Sequence, residues 1–264
     1  MLNFENKICV VTGSTSGIGL GIAEYLLKHG AEVYVSGRTP AHMDNAKSQL
    51  SCYGNKVHFD LFDLCDYKKA EAYVKAIGEE KGRIDYMFAN AGGGTVTRFE
   101  EITWEMWEDI LGSNLLGCVA VIKGAVPFMK KQHDGHIVIT SSVAGYSVNP
   151  YQAAYVATKH AVYGMAQSLR YELEADNIRV QAICPAFVHT PIFTRNGEPE
   201  EAIPPQCISV EQALEEIIAG MESGEVTIKV CEDARKYYQA LREDPDYCDA
   251  DMRRLAEFYR LQLS

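Results

Sequence analysis

The sequence predicts an α/β fold, a doubly wound parallel sheet with helices on both faces. Three observations carry that expectation. Apolar runs of strand length alternate with helix-length segments, most of these runs are continuously apolar, and a glycine-rich turn follows the first of them directly. Strands separated by helices imply βαβ units and therefore parallel neighbours. A strand buried on both faces has no solvent side and needs no polar alternation.

The strand-like runs are KICVVTG (7–13), EVYVSG (32–37), KVHFDL (56–61), IDYMFAN (84–90), HIVITSS (136–142), IRVQAIC (178–184) and EVTIKV (225–230). Helix-like segments lie between them at about 17–29, 40–52, 66–80, 103–131, 151–176 and 209–222. The first ends in His29-Gly30, a usual helix stop, and SVEQ at 209–212 is a capping box. The widest irregular stretch, 185–208, contains Pro185, Pro191, Pro199, Pro204 and Pro205. A loop of that length inside a compact domain is usually functional, and it reads as a substrate lid. In the tail, 231–264, Met252, Leu255 and Tyr259 recur at helical spacing and predict a C-terminal helical extension. Such a stripe most often packs within its own chain. The sharper expectation is that it covers a substrate pocket, its own or a neighbour's.

The chain has 264 residues, 47% of them apolar, and reads as a single domain over 1–264. Its net charge of −11 argues against nucleic acid as a partner, because phosphate contacts need a basic face. Eight cysteines carry no CxxC pair, and the N-terminus lacks a charged-then-apolar leader. No apolar run approaches a membrane span, so no membrane partner is expected. The expected compartment is a reducing cytoplasm. His133 and His136 have no third ligand nearby in sequence, so no metal site is expected.

The turn after the first run reads TGSTSGIGLG, residues 12–21. A glycine-rich turn between a first strand and its helix suits a nucleotide pyrophosphate. Backbone N–H groups point outward, the helix dipole favours anions, and glycines permit close approach. The spacing is Gly13-x3-Gly17-x-Gly19 rather than GxGxxG. Farther on, YVATK places Tyr155 and Lys159 on one face of a helix. Alone, such a pair is a chance event.

Taken together the motifs resemble those of the short-chain dehydrogenases/reductases. TGSTSGIG (12–19) resembles the family's TGxxxGIG turn, Asp60-Leu61 its acidic pair after the third strand, and Asn90-Ala91-Gly92 its NNAG segment. Asn114 in SNLLG, Ser142 in ITSSVAG, and Tyr155 with Lys159 match its catalytic positions, and CPAFVHTP (184–191) resembles its PGxxxTP segment. The likeness covers about residues 5–195. It implies a Rossmann-type sheet of about seven strands in the order 3-2-1-4-5-6-7. It also implies a dinucleotide held by Gly13, Ser14, Ser16, Gly17, Ile18, Gly19, Asp60, Leu61, Asn90, Gly92, Val188 and Thr190, with Tyr155 and Lys159 at its nicotinamide end. Lys159 would hydrogen-bond the nicotinamide ribose, and Asn114 would bend its helix and hold a water linked to Lys159. A homodimer or homotetramer built on 103–131 and 151–176 is implied as well. The chain departs from the family at Ala186, which replaces the glycine of the PG turn, and at EVTIKV, which lacks the VDGG ending.

The end of the second strand reads SGRT, with no acid to bind a ribose 2′-hydroxyl. Arg38 there suits a 2′-phosphate, which favours NADP(H) over NAD(H). A carbonyl being reduced needs a proton on its oxygen, and Tyr155 is the expected donor. A cation about 4 Å from its hydroxyl is worth about 4 kcal/mol at an effective dielectric of 20, or about three pKa units. On that reasoning Lys159, with the charge of an oxidised nicotinamide, supplies most of the tuning. Ser142, at a strand's C-terminal end, would polarise the carbonyl.

The expected reaction is reversible hydride transfer between NADP(H) and a secondary alcohol or ketone. Ala144, Tyr146, Val148, Tyr151, Gln152, Phe187, His189, Ile192 and Phe193 would line an apolar and aromatic substrate pocket, suiting a hydrophobic or cyclic molecule, a steroid-like one among them. A catalytically silent NADP-binding sensor or scaffold, and redox-neutral chemistry on the same fold, are the alternatives.

Overall fold

The computed structural model describes residues 2–194 and 203–262. Pro199 and the middle of the expected lid lie outside the described residues. Seven parallel strands form one sheet: β1 (Ile8–Val11), β2 (Glu32–Gly37), β3 (Val57–Leu61), β4 (Tyr86–Ala89), β5 (Gly135–Thr140), β6 (Ile178–Pro185) and β7 (Thr227–Val230). Their order is β3-β2-β1-β4-β5-β6-β7. Strand order reverses between β1 and β4, and a crevice opens above the C-terminal ends of such a pair.

The helices are α1 (Gly17–Lys28), α2 (Pro40–Leu50), α3 (Tyr67–Lys81), α4 (Trp104–Leu111), α5 (Gly117–Gln132), α6 (Ala153–Leu173), α7 (Val210–Ser223), α8 (Glu232–Glu243) and α9 (Pro245–Gln262). Ile8 and Val10 of β1 face one core with Val74 of α3, Val121 of α5 and Val162 of α6. Cys9 and Val11 face another with Ile22 and Leu26 of α1 and Ile217 of α7. Successive strand residues point to opposite faces, and here both faces are covered. That explains the continuous apolar runs. Each such side chain, fully buried, contributes about 1.5–3 kcal/mol.

The segment expected as one helix over 103–131 is interrupted. α4 and α5 are joined by a single π turn, Gly112–Leu116, which carries Asn114. Read as one run, Trp104–Gln132 is long and apolar enough to cross a membrane by length and composition alone. This departs from the expectation that no apolar run approaches a membrane span. Cys118, Val121, Ile122 and Ala125 of α5 are buried in the core, so this is a core helix of the sheet's cover.

The SVEQ capping box is present in full, Ser209 accepting from the Gln212 N–H and the Gln212 side chain accepting from the Ser209 N–H. The expected C-terminal helical extension is present as two helices, α8 and α9. α8 is tied to the sheet's C-terminal side by the Tyr146 hydroxyl, which donates to the Ala234 carbonyl at 2.7 Å. α9 packs along α8, and its Tyr259 meets Tyr151 edge to face at 6.0 Å.

Candidate active site

The glycine turn begins where β1 ends. Gly13 has φ +62°, in the left-handed region that glycine adopts without steric cost. A Cβ on Gly19 would collide with the Gly13 carbonyl and the Asn90 amide, so α1 starts hard against the strand ends. Asn90 holds this junction together. Its amide donates to Thr12 O at 3.1 Å, and its oxygen accepts from Thr140 Oγ1 at 3.0 Å. The turn opens into a cleft of about 630 Å³ that runs from Arg38 to Lys159.

Gly13, Ser16, Gly17, Ile18, Gly19, Arg38, Asn90, Gly92, Val188 and Thr190 line this cleft, together with Ser142, Tyr155 and Lys159. Three expected contacts lie elsewhere. Ser14 is fully buried and knits β1 to β2, donating to Val11 O at 2.6 Å and accepting from Ser36 N at 3.0 Å. Asp60 accepts from the Tyr73 hydroxyl at 3.0 Å, and Leu61 is half exposed. Neither Asp60 nor Leu61 lines the cleft, whereas Phe62, Asp63 and Leu64 do. The segment reads FDLFDL, so the same acidic pair occurs twice, three residues apart. β3 ends at Leu61, which leaves the second copy to turn over the sheet's edge.

At the other end of the cleft, Ser142 follows β5 in extended conformation (φ −171°), and its Oγ accepts from Ala144 N at 3.1 Å. Tyr155 lies in the first turn of α6, and Lys159 lies one turn later on the same face. The Lys159 ammonium donates to Thr140 O at 2.9 Å and stands 5.6 Å from the Tyr155 ring centroid. A Cβ on Gly92 would sit 3.1 Å from that ammonium and 3.2 Å from Asn114 Oδ1. Gly94 is a second close approach, since a Cβ there would come within 2.7 Å of the Tyr155 ring.

Asn114 itself is buried behind the lining residues. Its amide donates to Gly93 O at 2.8 Å and Thr158 Oγ1 at 3.0 Å, and its Oδ1 accepts from Gly93 N at 2.9 Å. Both amide hydrogens are therefore used inside the protein. The side chain clamps the 91–94 loop to α6, and a water relay toward Lys159 would have to begin at the main-chain carbonyl.

The electrostatics differ from the sequence expectation. Burial raises the Tyr155 pKa, and the hydrogen bond with Ser142 offsets it only in part. Lys159 is itself buried, which lowers its pKa to about 8. Desolvation disfavours both charged forms. The protein's own groups therefore leave the Tyr155 pKa above its ordinary value, and Lys159 does not supply the tuning alone.

The expected substrate residues disperse. Ile192 and Phe193 line the cleft. Ala144 is fully buried, Val148 is half exposed and His189 is exposed. Tyr146 points away to pack on Tyr163 and Tyr238. Tyr151 lines a separate hollow with Thr97, Phe99 and Arg260. No residue of α8 or α9 lines the main cleft. Ala186 needs no glycine, because its backbone lies outside the left-handed region. Thr15, Ser113, Thr140 and Pro185 also line the cleft; each lies inside one of the quoted motifs without being singled out there as a site residue.

A glycine turn that a Cβ would block, opening at the β1–β4 reversal and ending at a Ser-Tyr-Lys group, fits a nicotinamide dinucleotide. Fold and site together define a dinucleotide-binding cleft with a Ser-Tyr-Lys group at one end. The family model described as short chain dehydrogenase matches residues 7–201. The D-beta-hydroxybutyrate dehydrogenase of Rhizobium meliloti is 32% identical over 219 residues, 80% of this chain and 82% of its own. The 3-oxoacyl-[acyl-carrier-protein] reductase FabG of Thermotoga maritima is 32% identical over 197 residues, 75% of this chain and 80% of its own. Among solved structures, a short chain dehydrogenase from Burkholderia cenocepacia in complex with NADP has the same fold. Its TM-score is 0.80 at 24% identity, covering 95% of this chain and 99% of that one. The chain belongs to the short-chain dehydrogenase family.

Proposed function

We propose that this protein transfers a hydride reversibly between NADP(H) and a secondary alcohol or ketone, with Tyr155 as general acid and base. The observation that carries the reading is the convergence of Ser142, Tyr155 and Lys159 on one end of the cleft that the glycine turn opens. In the reductive direction the Tyr155 hydroxyl gives its proton to the substrate oxygen, and Ser142 Oγ hydrogen-bonds the same oxygen. Lys159 has donors left beyond the one on Thr140 O, and these favour the phenolate that remains. A bound nicotinamide would supply or accept the hydride. Asn114 acts at one remove, by fixing the loop and helix that carry the reacting groups.

Arg38 at the β2 end of the cleft supports the preference for NADP(H). Val188, Pro191, Ile192 and Phe193 give the cleft an apolar part, which supports a hydrophobic or cyclic substrate. The relatives named for 3-hydroxy and 3-oxo compounds make a carbonyl of that kind the first to try. All eight cysteines are free, which suits a reducing cytoplasm. Exposed Trp104 and Leu116 on one helical run and Tyr171 on α6 support self-association through these helices.

NADPH oxidation measured against a panel of hydrophobic, cyclic and 3-oxo ketones tests the reaction. Turnover on at least one is the expected result. Tight NADPH binding with no turnover on any would favour the sensor. Arg38→Ala should weaken NADPH about tenfold or more and leave NADH within about twofold, the loss expected for one charge-assisted phosphate contact. An unchanged ratio of the two affinities would overturn the cofactor reading.

A further inference from the structure

We propose that Asp109 is a specificity-determining residue for the cofactor, competing with a 2′-phosphate for the guanidinium of Arg38. The inference rests on the reading of Arg38 given above. Arg38 is not held ready for a ligand. Asp109, on α4 and 71 positions away in sequence, takes Arg38 Nη1 at 2.7 Å and lies 3.5 Å from Nη2. Those are the paired donors that a phosphate would use. Asp63 stands 3.5 Å from the same Nη1. One ligand atom each from Asp63, Cys65 and Asp109 lies within 4.8 Å of the others, a spacing that suits a cation, and the cation beside the two carboxylates is Arg38.

The Asp109 carboxylate is free to exchange. About half of its side chain is exposed, and a third of Arg38's, so the pair is solvated and individually weak. The helix does not depend on it either. The Asp109 main-chain carbonyl accepts from Ser113 Oγ at 2.8 Å and from Cys65 Sγ at 3.5 Å, whichever partner the carboxylate has.

The consequence is a divided preference. A phosphate dianion on Arg38 has to displace one carboxylate and stay close to another. A ribose 2′-hydroxyl is neutral, and it can donate to a carboxylate. The acid that SGRT lacks at the end of β2 is thus supplied from α4, and it opposes the selectivity that Arg38 alone would confer.

The experiment is equilibrium titration of the full-length protein with NADPH and with NADH, followed by tryptophan fluorescence and calorimetry. The proteins are wild type, Asp109→Asn, Asp109→Ser, Arg38→Ala and the Asp109→Asn/Arg38→Ala pair, with thermal melts to show that each is folded. Asp109→Asn should tighten NADPH about tenfold, the size of a like-charge contact between solvated groups of these valences. NADH should stay level or weaken by up to about threefold, the worth of one neutral hydrogen bond. Asp109→Ser should act in the same direction, and the effect should vanish in the Arg38→Ala background. An unchanged NADPH-to-NADH ratio in folded Asp109→Asn and Asp109→Ser would overturn the inference. So would weaker NADPH binding, which would make Asp109 a support that presents Arg38. If Arg38→Ala shifts the ratio and the Asp109 variants do not, this inference alone fails. If Arg38→Ala does not shift it, the NADP(H) reading fails as well.

Discussion

At the N-terminal ends of the strands, Asp85 is almost wholly buried, and its carboxylate accepts from Lys7 Nζ at 3.1 Å, Ile8 N at 2.9 Å and Arg83 Nε at 2.9 Å. Nearby, buried His136 meets Gln181 Oε1 at 2.7 Å, and the Gln181 amide donates to the Gly220 and Glu225 carbonyls. At the C-terminal ends, Ser142 and Lys159 are buried to a similar degree. There the protein answers Lys159 with one main-chain carbonyl at 2.9 Å, and Ser142 Oγ reaches Pro185 O at a long 3.3 Å. The first group is closed upon itself. The second keeps donor capacity directed into a cleft. Burial of polar groups does not by itself mark a site. What separates lock from site is whether their hydrogen-bonding capacity is spent inside the protein.

Four measurements would break or sharpen that contrast. The largest effect is expected for Tyr155→Phe, which removes only the proton donor. Turnover should fall about a thousandfold, within the range for a lost general acid, while the melting temperature stays nearly unchanged. Turnover near the wild-type rate would end the assignment. Asp85→Ala should show the opposite, a loss of about 1–3 kcal/mol in unfolding free energy, because the buried Ile8 N–H loses its acceptor while Lys7 and Arg83 can turn to solvent. Activity per folded molecule should be unaltered, as denaturant melts and rates on the same sample would show.

His136 offers a pH test of the closed end. Burial lowers its pKa to about 4, whereas the unfolded chain takes a proton at the ordinary value of 6.5. The unfolded state thus binds more protons between those values. Stability is present in full above pH 6.5 and falls as pH drops toward 4, by about 3 kcal/mol. Replacing His136 by Gln should flatten unfolding free energy across that window.

The smallest effect concerns Lys159, whose pKa burial lowers to about 8. The cation is present below that value and is lost above it. Ketone reduction, read as kcat/KM, should therefore decline about tenfold per unit once pH passes about 8. Whatever activity Lys159→Arg retains should not decline there, since a guanidinium stays charged. A flat wild-type profile between about pH 7 and 10 would separate Lys159 from the proton chemistry.

Much of this was legible in the chain. The strand runs fell within a few residues of β1 to β7, because sheets covered on both faces leave continuous apolar stretches. The meeting of Tyr155, Lys159 and Ser142 on one cleft was legible because it depends on residue type and spacing along the chain. Asp60-Leu61 misled, because FDL is repeated and only the end of β3 decides which copy reaches the cleft. Ser14 misled because a turn residue next to the motif can turn inward and bind two strands. The tuning expected of Lys159 required a distance and a dielectric, and spacing along a helix supplies neither.

The sequence by itself determined the alternation of elements, the glycine turn and the spacing that sets Tyr155 and Lys159 one helical turn apart. These rest on local periodicity, on backbone sterics and on the chemistry of single residues. Only the tertiary structure decided that Asn114 spends both amide hydrogens inside the protein and that Asp109 meets Arg38 across 71 positions. A carboxylate on one helix and a guanidinium at a strand end share no periodicity. Only the packed chain brings them within hydrogen-bonding distance.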